Sequence, residues 1–423
     1  MPEAGRTRVV VAGGGYAGLS AFGELADRGP RLELLLVSAT PYHYFVTEFP
    51  ALVAGGVEEE GVRVSLRRFV AARGRLVVGS VDRVEPGPRR LVLAGGESLP
   101  YDYLILAVGG EAEFFRIPGA REHGLEVGNP AAARQLAARV AGLVEGGGPR
   151  RVVIAGGGLT GVEVAGELAE RYPDRLQITV VEAAPALMPG FDPILAREAQ
   201  RVLEEKGVRV RTGTKIVSVD PAHVHVEQGP ALPYDLLVWA GGVRGSPVLA
   251  RSGLPVTPRG RVKVDPLLRA EGFPEIYVAG DAASFTDPAT GQELPPSAQL
   301  AVQMGRHAAR NLLRRLAGRD EVPFQPRLLG AFATLGGREA VGYVGAGRFT
   351  GLPAVVIKRL IEAHHAVETG GLIPVLARYA RPWARRLALR TLRPRPGLRP
   401  GGLEVAAGEN GRIAPSPGEV SPA

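Results

Sequence analysis

The chain has 423 residues, 45% of them hydrophobic and 22% charged, which predicts a folded protein of two or three domains. It contains no cysteine, so disulfides, dithiol redox centres, iron–sulfur clusters and thiolate metal sites are excluded, and redox chemistry would need a bound cofactor. The net charge of +8 is local, because residues 351–400 carry ten Lys or Arg against two acids, so a general nucleic-acid-binding surface is not indicated.

The beginning of the chain predicts a strand rather than a targeting segment. Residues 1–8 lead into an apolar run without the basic and apolar regions of a secretory signal, so secretion is not expected. No uncharged apolar stretch reaches the roughly 18 residues that a transmembrane helix needs, so we expect no membrane span.

One strand–turn–helix pattern occurs twice in the chain. Residues 8–28 read RVVVAGGGYAGLSAFGELADR, and residues 151–171 read RVVIAGGGLTGVEVAGELAER. Each copy is an apolar run, a Gly-rich turn and a segment with apolar residues every three to four positions. A second pair of similar segments follows, LPYDYLILAVGG at 99–110 and LPYDLLVWAGG at 232–242. We therefore predict two related α/β halves in the same order.

The remaining elements alternate between strands and helices. Residues 31–38, 75–85 and 89–95 read as strands, the last two joined in a hairpin across Pro86-Gly87-Pro88. In the second half we predict a strand at 176–183, a helix at 193–207 closed by Gly207, short strands between 207 and 228, a buried strand at 274–284 and a helix at 298–318.

Both Gly-rich turns fit the G-x-G-x-x-G spacing of dinucleotide-binding folds. The first contains Gly13, Gly15 and Gly18, and the second Gly156, Gly158 and Gly161. The first glycine of such a turn permits a tight bend, the second lets the backbone approach a pyrophosphate, and the third lets the helix pack close to the strand. A lone match would be weak, but two matches in strand–turn–helix context predict two nucleotide sites.

The ends of the second strands distinguish the two sites. Glu182 follows the strand of the second half, where a carboxylate accepts ribose hydroxyls, and no Lys or Arg follows it at 183–186. The second site is therefore predicted to prefer NAD(H) over NADP(H). The equivalent residue of the first half is Ser38, a weaker ribose ligand. Asp281 ends a late strand, where it suits the ribityl or pyrophosphate part of FAD in the first site, and it also suits a helix N-cap.

Together these residues resemble the flavoproteins with two dinucleotide-binding domains, the superfamily of glutathione reductase. Within it the chain is most similar to type II NADH dehydrogenases (NADH:quinone oxidoreductases), especially those of Gram-positive bacteria, over roughly residues 6–390. Gram-positive members of this family often lack an acidic residue at the FAD ribose position, which Ser38 occupies in this chain. The specific motifs are PYHYFVTE at 41–48, VVEAAPALMPGFDP at 180–193, VWAGGVRGS at 238–246, YVAGDAAS and AQLAVQMGRHAARNL at 298–312, which is similar to the family's quinone-site motif.

The resemblance implies a role for each matched residue. FAD would contact Gly13, Gly15, Gly18, Thr47, Gly109 and Asp281, with Ser38 at the ribose position. NADH would contact Gly156, Gly158, Gly161, Glu182 and Gly241. Glu163 matches a glutamate beside the nicotinamide that is implicated in NADH handling and proton supply. Gln299 and Gln303 would line the quinone pocket next to the flavin, and Lys358 matches a basic residue near the flavin.

The roles implied for Glu163 and for the two glutamines have plainer alternatives. Glu163 also reads as a favourable acid in the first turn of a helix. Gln299 and Gln303, one helical turn apart, would otherwise be surface glutamines. The histidine pairs His364-His365 and His223/His225 have no acidic neighbours at useful spacing, so we assign them no role and predict no metal site.

The resemblance also implies a domain organisation, with an α/β fold of two Rossmann-type dinucleotide-binding domains, as in glutathione reductase, plus a C-terminal membrane-associating segment. We expect a split FAD-binding domain at 1–118 and 244–330, an NADH-binding domain at 119–243, an amphipathic membrane-anchoring region at 331–400 and a disordered tail at 401–423.

The C-terminal segment carries the membrane prediction. On a helical wheel an apolar stripe with interfacial Tyr and Trp is opposed by arginines, as in-plane anchoring helices need, although Pro382 would kink the helix. The stripe is Leu372, Leu376, Tyr379, Trp383 and Leu387, and the arginines are Arg378, Arg381 and Arg385. A helix packed on the protein's own body or on a second subunit is the alternative, so a homodimer stays open.

The expected activity is non-proton-pumping NADH:quinone oxidoreduction in respiratory electron transport. A hydride would pass from NADH to FAD, and two electrons would then reach a membrane quinone. The protein is expected at the cytoplasmic face of the cell membrane, bound peripherally to anionic lipid. The alternatives are a soluble NADH-dependent reductase of an iron–sulfur carrier and a low-turnover redox-sensing flavoprotein. The absence of cysteine argues against sulfide:quinone oxidoreductase, whose chemistry requires it.

Overall fold

The computed structural model describes residues 6–28, 32–71 and 73–370, and every structural statement below refers to these residues. The predicted amphipathic helix around 372–387 and the predicted tail at 401–423 lie outside the described residues. Within them, no helix has the length and apolar character needed to cross a bilayer.

The first part of the chain, up to residue 112, contains ten strands and three helices among the described residues. In order they are β1 (Arg8–Ala12), α1 (Tyr16–Arg28), β2 (Glu33–Ser38), β3 (Tyr42–Tyr44), α2 (Phe49–Val53), β4 (Arg63–Ser65), α3 (Leu66–Val70), β5 (Arg75–Val78), β6 (Val81–Glu85), β7 (Arg90–Leu93), β8 (Ser98–Pro100), β9 (Tyr103–Leu106) and β10 (Gly110–Ala112). Two 3₁₀ turns, Val46–Glu48 and Glu59–Val62, lie among them.

The middle part holds the second copy of the repeated pattern. Its elements are α4 (Ala120–His123), β11 (Gly124–Glu126), α5 (Pro130–Glu145), β12 (Arg150–Ala155), α6 (Leu159–Arg171), β13 (Leu176–Val181), α7 (Pro193–Glu205), β14 (Arg209–Arg211), β15 (Ile216–Val219), β16 (His223–Val226), β17 (Leu232–Pro233) and β18 (Leu236–Trp239).

The last described part returns to the first sheet and then adds a small sheet and a helix. Its elements are β19 (Val243–Gly245), α8 (Pro247–Arg251), β20 (Val262–Lys263), β21 (Arg269–Ala270), β22 (Phe273–Val278), a 3₁₀ turn (Gly280–Ala282), β23 (Ala283–Ser284), α9 (Ala298–Leu316), β24 (Gly330–Thr334), β25 (Ala340–Val344), β26 (Gly347–Thr350) and α10 (Gly351–Gly370).

Two parallel sheets form the centres of the two halves. The first has the order β21-β22-β9-β1-β2-β5, with all neighbours parallel except β21 and β22. The second has the order β11-β18-β12-β13-β14 and is parallel throughout. Their inner strands are almost uninterrupted runs of Val, Leu and Ile, because parallel strands are covered by helices on both faces. The predicted pair of α/β halves is confirmed.

Each half has its own apolar core. One surrounds β1, β2, β9 and β22 and is closed by α1 and α9, which pack directly on each other. A Cβ at Gly305 of α9 would collide with the backbone of Ala17 in α1, so glycine permits this close approach. The other core surrounds β12, β13 and β18 and is closed by α5, α6 and α7.

A two-stranded ribbon carries the chain from one half to the other and back. β10 leaves the first half and β19 returns to it, and the two strands pair antiparallel, with Gly110 opposite Gly245 and Ala112 opposite Val243. The amide of Glu113 donates to the carbonyl of Gly242 at 3.0 Å just beyond the ribbon. The middle part of the chain therefore begins and ends at the same place.

Three parts of the structure differ from the sequence predictions. The single strand predicted over 274–284 is wrong beyond Val278, because a 3₁₀ turn at Gly280–Ala282 separates β22 from β23. The prediction of a single strand over 75–85 is wrong, because the strand is interrupted at Gly79-Ser80. The first piece, β5, joins the first sheet, and the second piece, β6, pairs with β7. The predicted hairpin between β6 and β7 is confirmed. Residues 330–350, for which no strand was predicted, form the antiparallel sheet β24–β26, on which α10 packs.

Candidate functional site

The first Gly-rich turn joins β1 to α1 and is closed by backbone atoms. Gly13 has φ +124°, and a Cβ there would collide with the carbonyl oxygen of Ala107. A Cβ at Gly18 would collide with the carbonyl of Gly13 itself. At Gly15, by contrast, a Cβ would meet nothing within 4 Å. The outer glycines therefore serve the packing of strand and helix, while the middle glycine faces open space that a phosphate can approach.

The second turn, between β12 and α6, repeats this arrangement. Gly156 has φ +106°, and a Cβ there would meet the carbonyl of Ala240. A Cβ at Gly161 would meet the carbonyl of Gly156, whereas the space beside Gly158 is open to 4 Å. Two helix N-termini thus face two open turns, and the donor set of backbone N–H groups suits a pyrophosphate in each.

The two residues predicted to bind ribose each lie at the carboxyl end of a parallel strand, β2 in the first half and β13 in the second. Glu182 directly follows β13, and its carboxylate accepts hydrogen bonds from the amides of Gly157 at 2.6 Å and Ala184 at 2.7 Å. Ser38 ends β2, is 6% exposed and lies against the glycine turn, where a Cβ at Gly14 would be 2.5 Å from its hydroxyl oxygen. The second site presents a carboxylate, and the first presents a small hydroxyl.

The other residues predicted for the first site lie at the carboxyl edge of the first sheet. Because β22, β9 and β1 are parallel neighbours, Asp281, Gly109 and Gly13 all follow strand ends on that edge. Burial raises the pKa of the Asp281 carboxyl, and the nearby Arg261 guanidinium opposes this increase. Thr47 reaches the same edge, with its hydroxyl 3.4 Å from that of Tyr16.

Gly241, predicted for the second site, follows β18 at the carboxyl edge of the second sheet. A Cβ there would lie 3.0 Å from the indole nitrogen of Trp239 and 3.4 Å from the ring of Phe115. Aromatic rings therefore cover the side of Gly241 where a side chain would lie. Only its backbone groups could contact a ligand.

Glu163 and Lys358 meet in the structure, although they are far apart in the sequence. Lys358 Nζ on α10 donates to Glu163 Oε1 on α6, and the same oxygen accepts from the amide of Thr334 at 3.1 Å and from its hydroxyl at 3.3 Å. Burial alone would lower the pKa of the Lys358 ammonium, but Glu163 and Glu362 outweigh burial, so the pKa is raised. The lysine is therefore charged at neutral pH.

Gln299 and Gln303 lie on one face of α9, as their spacing predicted. Gln303 binds the backbone of Arg327 twice, donating to its carbonyl at 2.8 Å and accepting from its amide at 3.0 Å. Gln299 Oε1 accepts from the amide of Leu329 at 3.2 Å. Both side chains are half-buried and hold the segment 327–329 beside α9. Their place in a quinone pocket stays a prediction.

The pair His223/His225 has an acidic neighbour, contrary to the prediction. His225 Nε2 lies 2.6 Å from Asp220 and His223 Nδ1 lies 3.6 Å from it, because β15 and β16 form a hairpin around that aspartate. Asp220 also accepts backbone amides at the start of β16, so it serves the turn. Among the described residues no three His, Asp or Glu side chains are arranged to hold a metal.

Similarity to known proteins agrees with this geometry. The family model of the pyridine nucleotide-disulphide oxidoreductases matches residues 7–305. The type II NADH:quinone oxidoreductases of Staphylococcus epidermidis and Staphylococcus saprophyticus are 30% and 29% identical over 391 residues, which is 87% of this chain and 97% of each relative. This chain belongs to the type II NADH:quinone oxidoreductases.

Two solved structures have the same fold as this family member. NDH2 from Plasmodium falciparum, in complex with NADH, gives a TM-score of 0.78 at 18% identity, covering 85% of this chain and 94% of that one. The sulfide:quinone oxidoreductase from Aquifex aeolicus gives 0.74 at 20% identity, covering 88% and 95%. At these identities the likeness establishes the fold, and the predicted two-domain α/β architecture is confirmed.

Four residues beside the predicted site residues were not identified from the sequence. Glu167 and Glu362 lie one helical turn beyond Glu163 and Lys358, a spacing that the sequence does show. Thr334 on β24 had no signal, because its strand was not predicted. His43 is fully buried under the first turn, with Nδ1 3.0 Å from the carbonyl of Gly14, and burial lowers its pKa to about 4.

Proposed function

We infer that the chain oxidises NADH and transfers two electrons, through bound FAD, to a quinone. The observation that carries this inference is the pair of glycine turns, each closed by backbone at its outer glycines and open at its middle one. Two such turns on separate sheets suit two dinucleotides at once. Relatives that share about 30% of their residues over nearly their whole length carry the activity in their name.

The two dinucleotides take different turns. FAD is held at the first, by the open turn at Gly15 and the carboxyl edge that carries Asp281 and Thr47. NADH is held at the second, where Glu182 has one or more lone pairs left for ribose hydroxyls after accepting two amides. No Lys or Arg follows Glu182 at 183–186 to neutralise a 2′-phosphate, which favours NADH over NADPH.

When bound, FAD supplies the exchange between the hydride of NADH and the two electrons that a quinone accepts. The protein positions the reactants and controls protons. Glu163 and Lys358 form a buried, oppositely charged pair beside the start of α6, the helix that follows the glycine turn assigned to NADH. Gln299 and Gln303 fix the segment 327–329 along α9, and we assign the quinone to this side.

We place the enzyme peripherally on the cytoplasmic face of the membrane, because NADH is dissolved and respiratory quinones are lipid-soluble. On α10, Leu352, Val356 and Leu360 recur every fourth position and are 62%, 48% and 64% exposed. Leu328 and Leu329, next to the segment that the glutamines hold, are 57% and 63% exposed. These apolar side chains and the basic surplus of residues 351–400 suit an anionic lipid surface.

Steady-state kinetics of the purified protein test the activity directly. We expect NADH to reduce a short-chain quinone with FAD bound, and NADPH to be used at least about tenfold less efficiently in kcat/KM. A flavin-loaded protein that oxidises NADH with a soluble iron–sulfur carrier but leaves quinone unreduced would contradict the proposal.

Membrane attachment is tested by co-sedimentation with vesicles of anionic or neutral lipid. We expect binding to anionic vesicles that weakens with salt and falls when Val356 and Leu360 are both changed to Gln. The matched control is the exposed Val217→Gln on β15, which should leave binding unchanged. Equal binding of all three proteins would contradict this face as the docking surface.

A further inference from the structure

A buried arginine lies behind the turn that carries Asp281. Arg261, which directly precedes β20, is 5% exposed, and arginine is rarely buried unless its guanidinium is paired. Its Nε donates to the carbonyl of Asp281 at 3.2 Å. Its Nη1 donates to Glu293 Oε1 at 2.9 Å and to the carbonyl of Leu294 at 3.1 Å. One guanidinium group therefore joins the Asp281 turn to the segment that leads into α9.

The turn that carries Asp281 lies between the starts of two helices. A Cβ at Gly280 would be 3.1 Å from the Cβ of Ala17 in α1 and 3.4 Å from that of Ala301 in α9. Helix α1 follows the open glycine turn at Gly15, so Asp281 is fixed beside the first nucleotide site. A shift of this turn would move the Asp281 carboxyl relative to that site.

The guanidinium also acts on the Asp281 carboxyl through its charge. Burial raises the pKa of this carboxyl, and Arg261 opposes the increase. Glu293, the ion-pair partner of Arg261, also accepts from the hydroxyl of Ser284 at 2.6 Å. Arg259, a second cation whose charge acts on Arg261, is exposed to solvent. The buried arginine thus favours the ionised form of Asp281, and a carboxylate accepts hydrogen bonds from hydroxyl groups more strongly than a neutral acid does.

We propose that Arg261 is a positioning residue for FAD, which holds the Asp281 turn at the start of α1 so that the Asp281 carboxylate can accept from hydroxyl groups of the flavin cofactor. The proposal rests on the proposed function, in which FAD occupies the first glycine turn. The planar guanidinium holds the carbonyls of Asp281 and Leu294 at once, which a single amide or ammonium group is not shaped to do.

Release of FAD from the purified, FAD-loaded enzyme measures this role and is followed by the fluorescence of the free flavin. We expect Arg261→Gln to release FAD about tenfold faster than the wild type. Arg261→Lys keeps the charge but loses the planar group, so it should release FAD about threefold faster. The matched control is Arg259→Gln, two positions away and exposed, which should release FAD at the wild-type rate.

A double-mutant cycle distinguishes positioning of Asp281 from a general loss of stability. Asp281→Asn should itself release FAD about tenfold faster, and adding Arg261→Gln should change that rate less than about twofold, because both residues act through one contact. Arg261→Lys takes its place in the cycle where Arg261→Gln does not fold.

Two sets of outcomes separate this role from the proposed function. Release at the wild-type rate from the Arg261 variants, or fully additive effects in the cycle, would overturn the role of Arg261 alone. Release at the wild-type rate from Asp281→Asn would instead contradict the placement of FAD beside this turn.

Discussion

The two halves of the molecule share a sequence pattern, but the helices behind their glycine turns have different neighbours. At two matching positions within the repeat, α1 has Ser20 and Glu24, whereas α6 has Glu163 and Glu167. Helix α1 packs on α9, where Glu24 pairs with Arg310 at 2.9 Å. Helix α6 packs on β24, and its Glu163 accepts from Lys358 of α10, whose charge also acts on Glu167.

The two copies share their glycines but differ at the helix positions that face neighbouring elements. The glycines that pack strand against helix are the same in both, because the backbone leaves no room for a side chain. The positions that face a second layer differ, because the layers differ. In α6, Glu163 therefore accepts from a buried lysine, whereas in α1, Glu24, which matches Glu167, holds two helices together.

The outer glycines offer the strongest test of the comparison. Gly18→Ala should give protein that is purified without flavin, because the new Cβ collides with the carbonyl of Gly13. Gly161→Ala should retain FAD but lose at least about 100-fold in kcat/KM for NADH, since displacing the turn by about 1 Å misplaces the reactant. The ratio of flavin absorbance to protein absorbance, with steady-state kinetics, measures both. Flavin loss in both variants alike would contradict the division of the two sites.

The ribose positions should give the next largest effect. Glu182→Ser removes a carboxylate that accepts two amides and is assigned to the ribose, so KM for NADH should rise about 10- to 100-fold, equivalent to about 1.5–3 kcal/mol. Ser38→Ala in the first half should change flavin affinity less than about threefold, because a neutral hydroxyl contributes less. Steady-state kinetics measure KM for NADH, and quenching of flavin fluorescence on binding measures the flavin affinity. A larger effect at Ser38 than at Glu182 would reverse the comparison.

The middle glycines should affect binding without affecting folding. Gly158→Ala adds a methyl group into open space at the start of α6, so the thermal midpoint should stay within about 2 °C while KM for NADH rises about tenfold. Gly15→Ala should weaken flavin retention in the same way. Differential scanning fluorimetry and kinetics are the readouts. A lowered midpoint with unchanged KM would mean that these glycines serve the fold instead.

The smallest effect is expected for the matched acids of the two helices, and its sign should differ between them. Burial raises the pKa of Glu167 to about 7, above its unfolded value of 4.5. The folded state then binds more protons than the unfolded state between these values, so stability falls as pH rises across this window. Glu167→Gln should therefore raise the free energy of unfolding by about 1 kcal/mol at about pH 8 and by little at about pH 4.

Glu24→Gln provides the contrast, because that acid forms an ion pair with a half-exposed arginine. It should lower the free energy of unfolding by up to about 1 kcal/mol at about pH 8. Urea denaturation of the FAD-loaded proteins at the two pH values measures both changes. The same sign for both variants at about pH 8 would show that the two helices do not use their acids differently.

The sequence predicted the parts of this protein that depend on local order. Both strand–turn–helix units, the hairpin across residues 86–88 and helices α7 and α9 follow from periodicity and glycine spacing, and all are present. The contact between Glu163 and Lys358 could not be predicted from spacing, because it joins two residues that are 195 positions apart in the chain. The sheet β24–β26 was missed because its short strands lack a clear alternation of apolar and polar residues.

The predictions for two short segments were wrong, and each error has a physical reason. Apolar residues occur on both sides of Gly79-Ser80, but the amide of Gly79 donates to the carbonyl of Ser38 at 2.8 Å, and the pairing with the first sheet ends there. Asp220 lies only three residues before His223, and the hairpin brings it to both histidines. In each case the decisive interaction is set by a turn rather than by periodicity.

The antiparallel ribbon of β10 and β19 makes the middle part of the chain, residues 113–242, a cassette whose two ends are adjacent. Since Glu113 and Gly242 are hydrogen-bonded where the cassette begins and ends, the flanking scaffold needs only a short hairpin to close over its removal. A different nucleotide-binding module with similarly spaced termini could be spliced between the same two strands without rethreading the first sheet. Because both crossings between the halves lie side by side, an exchange of residues 113–242 would leave the strand order of the first sheet unchanged.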